Sequence, residues 1–150
     1  MKDAQQMYRR GLDHLAARRL GEAAKCFEAA LAIVRKHRLE PPAKLLSYCG
    51  YTLALARRKY GQALSLCRAA AEKEFFNPDI FYNLGEVHLA RGERGRAHET
   101  FCRGLALNPS HVSIRKRLKR MGVRQSPPIG FLARHNIFNR MLGRALRPRA

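Results

Sequence analysis

The stretch PDIFYNLGEVHLARGERGRAHETFCRGLALNP, residues 78–109, decides the fold. It reads as two amphipathic helices joined by a tight turn, over residues 78–91 and 94–107. Asn77 can cap the first helix, Pro78 suits its first position, and Asp79 complements the positive end of its dipole. In the second helix Ala97 precedes Phe101 by four residues, which puts a small and a bulky side chain on one face. Asn108-Pro109-Ser110 then breaks the chain.

Working outward, the same pattern returns twice. GLDHLAARRLGEAAKCFEAAL (residues 11–31) and GYTLALARRKYGQALSLCRAAA (residues 50–71, one residue out of frame) align with GEVHLARGERGRAHETFCRGLAL (residues 85–107). The landmark pairs are Ala23–Phe27, Ala63–Cys67 and Ala97–Phe101. Ala63 and Ala97 are 34 residues apart and Ala23 and Ala63 are 40, the surplus of six being assigned to the hinge VRKHRLEPP. The further helices are expected at 2–17, 20–37, 42–57 and 60–74. Gly21, Gly61 and Gly95 mark the turns and are expected to supply backbone angles that other residues resist. One helix pair cannot bury its apolar face alone, so successive pairs stack into a continuous core. Gly11, Gly85, Ala23, Ala63 and Ala97 allow close approach, and Phe27 and Phe101 fill the space between. After Pro109, SHVSIRKRLKRMG places Ile114, Leu118 and Met121 on one face, as a capping helix over residues 111–122.

Residues 78–111 resemble a tetratricopeptide repeat. The family pattern of Trp-x2-Leu-Gly-x2-Tyr, Ala-x3-Phe and Pro appears as Phe81-x2-Leu84-Gly85-x2-His88, Ala97-x3-Phe101 and Pro109. The first unit matches through Met7, Arg10-Gly11, His14, Ala23, Phe27 and Ala30. The second matches through Ser47, Gly50-Tyr51, Ala54, Ala63, Cys67 and Ala70, with Tyr51 at the tight-packing glycine position and Gly50 one place earlier. The resemblance spans about residues 4–111. It implies an all-α fold: a right-handed helical-repeat solenoid of three such pairs (units 4–37, 44–77 and 78–111) with a C-terminal capping helix and a basic tail. The domains are then 1–122, the repeats and cap, and 123–150, the tail.

The resemblance also implies that the first helix of each pair lines a concave groove for an extended or helical peptide. Counting units from Ala4, Lys44 and Pro78, the fifth position is Tyr8, Tyr48 and Tyr82. The twelfth is Leu15, Leu55 and Leu89, and the thirteenth is Ala16, Ala56 and Ala90. Leu12, Arg9, Thr52, Asn83 and Glu86 are further groove candidates. Tyrosine offers a rigid apolar body and a hydroxyl for a peptide backbone; the same rings can instead pack between units, and both readings stand. The positions where some family members clamp a terminal carboxylate carry Tyr8, Leu12, Cys49, Asp79 and Asn83. An apolar or amphipathic protein or peptide segment is therefore the expected ligand.

The net charge of +19 is unevenly placed: residues 112–150 carry 11 Lys and Arg and no acid. Such a segment attracts something anionic. Arg115, Lys116, Arg117, Lys119 and Arg120 on the cap, and Arg134, Arg140, Arg144 and Arg147 beyond it, are the candidates for that contact. After Ser126-Pro127-Pro128, Phe138, Leu142 and Ala145 share a helical face. Three fates remain for the tail: docking on its own repeats, binding an anionic partner (nucleic acid, an acidic protein or a membrane surface) as a basic amphipathic helix, or remaining unfolded. A nucleic-acid- or ribosome-associated role through this tail is the alternative function.

Cys26, Cys49, Cys67 and Cys102 are far apart, form no Cys-x-x-Cys pair and read as small buried hydrophobes on apolar helix faces. No transmembrane segment or secretory signal is apparent, so a cytoplasmic protein is expected. No metal site, cofactor loop or Ser/His/Asp constellation is found, which points to a non-catalytic scaffold.

Overall fold

A computed structural model describes residues 2–122, which hold seven helices and no strand. They are α1 (Lys2–Ala16), α2 (Leu20–Lys36), α3 (Ala43–Arg57), α4 (Tyr60–Lys73), α5 (Pro78–Ala90), α6 (Arg94–Leu107) and α7 (Val112–Met121). The repeat array forms one compact unit that ends at Leu118. None of the described helices is long and apolar enough to cross a membrane.

Each pair, α1–α2, α3–α4 and α5–α6, closes around one line of small and large side chains. On α2 the line is Ala23, Phe27 and Ala30; on α4 it is Ala63, Cys67 and Ala70; on α6 it is Ala97, Phe101 and Gly104. All nine are buried. The rings of Phe27 and Phe101 lie where a Cβ on Gly11 or Gly85 would fall, so only glycine fits there. Gly104 leaves room for Ile114 of α7, whose side chain is fully buried.

The second pair corrects the sequence register. Gly50, not the Tyr51 position, faces the partner helix: a Cβ there would stand 2.6 Å from Cys67 Sγ and 2.7 Å from the Ala63 carbonyl oxygen. With a thiol in place of a phenyl ring, α3 and α4 approach almost backbone to backbone. Unit 2 therefore begins at Ala43, with one extra residue between its glycine and Ala63. The hinge accordingly takes five of the six surplus residues, through the 17-residue α2 and its longer linker, and α3 with its turn takes the sixth.

That sixth residue is visible in how the turns close. The Arg19 N–H donates to the His14 carbonyl and the Glu93 N–H to the His88 carbonyl, the usual helix-ending loop. In unit 2 the Lys59 N–H reaches back one residue further, to the Leu53 carbonyl. The left-handed residue in each turn is Arg18 (φ 59), Arg58 (φ 55) or Gly92 (φ 90). Gly21, Gly61 and Gly95, expected to take that conformation, instead sit in the first turn of α2, α4 and α6 with open space beside them; nothing in the packing explains them.

The two ends of the array differ. With units counted from Ala4, Ala43, Pro78 and Val112, third positions are Gln6, Leu45, Ile80 and Ile114. Leu45, Ile80 and Ile114 are buried in the inter-unit core, whereas Gln6 is exposed. Arg10 and Asp13 are exposed on α1 as well, so the face on which a preceding pair would pack is polar.

The Gly50 contact yields a direct test. Gly50→Ala should destabilise the protein by about 1–3 kcal/mol through overpacking, whereas Gly61→Ala should be neutral or stabilise by up to about 1 kcal/mol. Chemical denaturation of both variants measures this; a stabilised Gly50→Ala protein would restore the original register.

Candidate functional site

Helices α1, α3, α5 and α7 run side by side as the first helices of successive units, and corrected positions show how they meet. The fifth residue of one faces the sixth of the next. The Tyr8 and Tyr48 rings lie 6.2 Å apart, and the Asn83 amide donates to the Ser47 hydroxyl at 2.9 Å. Arg117 occupies the sixth position of α7, and its charge interacts with Tyr82. Helix α7 is thus a fourth first helix in register. It starts on His111, whose Nδ1 accepts the Ile114 N–H at 3.3 Å while Nε2 donates to Asp79 Oδ1 at 2.9 Å.

The tyrosines divide between packing and surface. Tyr8 leans on Phe27 at 5.8 Å, Tyr48 stacks on Phe27 at 5.5 Å, and Tyr82 contacts Phe101 and His111. All three rings are half-buried, as are Leu12, Leu15, Leu55 and Leu89. Arg9, Ala16, Ala56 and Ala90 are exposed. Tyr48 is no longer equivalent to Tyr8 and Tyr82, because Ser47 holds the fifth position of unit 2.

Three candidates lie away from the open surface. Thr52 is fully buried and donates to the Tyr48 carbonyl of its own helix at 2.8 Å. Asn83 is buried against Ser47. Glu86 is 4% exposed and accepts both a Nε–H and a terminal N–H of Arg117. This fork-to-carboxylate geometry is the strongest side-chain pairing available to either group. It raises the Arg117 pKa and commits that guanidinium to Glu86, so Arg117 is not a free contact for an anionic partner. Arg115, Lys116, Lys119 and Arg120 are exposed. Arg134, Arg140, Arg144 and Arg147, with the proposed tail helix, lie outside the described residues.

Tyr51 is the residue the sequence reading missed. In the corrected register it shares the ninth position with Leu12 and Glu86, and it interacts electrostatically with Tyr82, Glu86 and Arg117. Burial pushes its phenol up to about 12, with Tyr82 and Glu86 adding to the effect. Tyr8 is also raised to about 12, chiefly by burial and then by Tyr48 and Glu74. Aligning the units on their packing glycines would have found Tyr51.

A cleft of about 340 Å³ opens between α1 and the start of α3, lined by Ala4, Gln5, Tyr8, Val34, Pro42, Lys44 and Leu45. The walls are apolar and Lys44 is exposed. Cys49 and Cys67 are buried, and burial holds their thiols protonated by raising them to about 11 and 12. The expected apolar setting fails for Cys102, which is exposed beside His98.

No family model matches the sequence, and no curated protein matches it at a significant level. Solved structures do. The Arabidopsis OM64 tetratricopeptide-repeat domain aligns with 81% of this chain and 96% of its own, at a TM-score of 0.65 and 16% identity. The first such domain of Spaghetti (RPAP3), bound to the HSP90 peptide SRMEEVD, aligns with 80% and 90%, at 0.62 and 16%. PcrH, in complex with the chaperone binding region of PopB, aligns with 79% and 93%, at 0.59 and 23%.

Two measurements probe this face. Arg117→Ala should destabilise the protein by about 3–5 kcal/mol by stranding a buried carboxylate, whereas Glu86→Gln/Arg117→Met should recover most of that loss in a double-mutant cycle. Alkaline titration is the second. Tyr8 and Tyr51 hold their protons more tightly folded than unfolded, so their contribution to stability is full below pH 10 and lost as pH rises to about 12. Denaturation midpoints should fall across that window, and less steeply in Tyr8→Phe/Tyr51→Phe.

Proposed function

On the premise of a tetratricopeptide-repeat fold, we propose that this chain is a non-catalytic interaction scaffold that takes an apolar or amphipathic peptide segment across the first helices of units 1 and 2. The observation that carries this reading is the apolar cleft beside Tyr8, whose volume suits one or two large side chains of a ligand. Half-buried Leu12, Tyr48, Tyr51 and Leu55 extend an apolar surface from it. Beyond them Glu86 and Arg117 occupy one another, which turns the ligand toward the first two units.

The RPAP3 domain holding an HSP90 peptide and PcrH holding a region of PopB support the peptide reading, since both hold a segment of another protein. Selection of a terminal carboxylate is not part of the proposal. Tyr8, Leu12, Cys49 and Asp79 supply apolar or acidic groups where such a clamp needs cations and amides. Lys44 at the cleft instead favours a segment with an acid next to its apolar anchor.

Peptides selected by display against the whole chain, with binding followed by fluorescence polarisation, test the proposal. Tyr8→Ala/Tyr48→Ala/Tyr82→Ala should weaken capture at least about tenfold, equivalent to roughly 1.4 kcal/mol, with the helical circular-dichroism signal retained. Lys44→Glu should weaken it without altering stability. Capture indifferent to both changes would dismiss the groove.

A further inference from the structure

The helices of each pair are antiparallel and their first members run side by side, so the turns 17–19, 58–59 and 91–93 line up along one edge of the array. Every Arg and Lys in or next to these turns is exposed: Arg18, Arg19, Arg57, Arg58, Lys59, Arg91, Arg94 and Arg96. Arg57 pairs with Glu28, and Arg91 and Arg96 share Glu93. Among the described residues, no ion pair engages Arg18, Arg19, Arg58 or Lys59.

Folding does not account for these four. Arg18 and Arg58 hold the left-handed conformation that Gly92 takes without penalty in unit 3. Arg19 and Lys59 stand at the N-caps of α2 and α4, where they accept no backbone N–H and oppose the dipole. Local stability favours glycine at the first two positions and a short polar or acidic residue at the other two. The sequence keeps cations at all four.

We propose that this edge is a second interaction surface, which takes the phosphate backbone of a double-stranded nucleic acid. The guanidinium fork matches phosphate oxygens, and a rigid row of cations suits a regularly charged rod. The large exposed hydrophobics, Leu39, Phe75, Phe76, Leu107 and Val112, all lie in or beside the linkers between pairs, at the opposite ends of the helices. Leu20 and Tyr60 beside these turns are half-buried, so the edge exposes no large hydrophobic to insert into a lipid surface and no fully open aromatic platform for unpaired bases. It contacts phosphates and reads no sequence.

The test compares the full chain with its Arg18→Gly/Arg19→Gln/Arg58→Gly/Lys59→Gln variant, using anisotropy of a short fluorescent duplex over a salt series. The variant should bind at least about tenfold more weakly at physiological salt, and its log–log salt slope should be shallower by about 3.6. Its thermal midpoint should equal or exceed that of the parent, since glycine relieves two left-handed residues. Arg19→Gln/Lys59→Gln, which leaves those residues untouched, should lose about half of that slope. Peptide capture in the groove should be unchanged in both variants, so the edge and the groove fail separately. A parent that does not bind duplex, or a variant with unaltered affinity and slope, overturns the proposal. So does a variant that loses binding to phosphatidylserine vesicles while keeping the duplex.

Discussion

Close approach between the two helices of each pair is the constraint on which the rest depends. Gly11, Gly50 and Gly85 remove a side chain where Phe27, Cys67 and Phe101 enter, and the partner helix settles into the gap. Interiors are packed densely enough that one methyl group at such a point must displace something. With the pairs set at that distance, Leu45, Ile80 and Ile114 fall into the seams between units, and the tyrosines sit half in the core and half on the surface. The cleft beside Tyr8 follows from the same placement of α1 against α3.

Much of this was legible in the sequence. The Ala-x3-Phe spacing and the proline breaks located all six paired helices to within one or two residues, because they reflect local periodicity and chain stereochemistry. Position along the face was harder. Unit 2 was counted from the spacing of its downstream alanine, which hides a residue absorbed by α3 and its turn. The slip mistook Tyr51 for a packing position and aligned Tyr48 with Tyr8. A substitution of Cys67 for phenylalanine signals that this pair packs differently, but only the backbone contact at Gly50 reveals the direction of the shift.

Polar candidates failed for another reason. Thr52, Asn83 and Glu86 look like ligand contacts on a helical wheel, since polar residues normally face outward. Each is buried with its own partner: the Tyr48 carbonyl, the Ser47 hydroxyl and the Arg117 guanidinium. The Glu86 pairing lies 31 residues away in sequence, beyond any local pattern. It also changes how the charge is read, because one cation of the basic cap is structural. Arg18, Arg19, Arg58 and Lys59, which no ion pair among the described residues engages, stand in the short turns within pairs, where composition alone would not direct attention.

The seams between units also carry an address. Tyr8 meets Tyr48, aromatic to aromatic, and Ser47 meets Asn83, hydroxyl to amide. If the third unit docked directly on the first, the Asn83 amide would meet the Tyr8 ring in place of the Ser47 hydroxyl. Chains built from similar modules are prone to assembling out of order. Here each seam recognises its proper neighbour, so the succession of modules is enforced by contact chemistry as well as by the chain that links them.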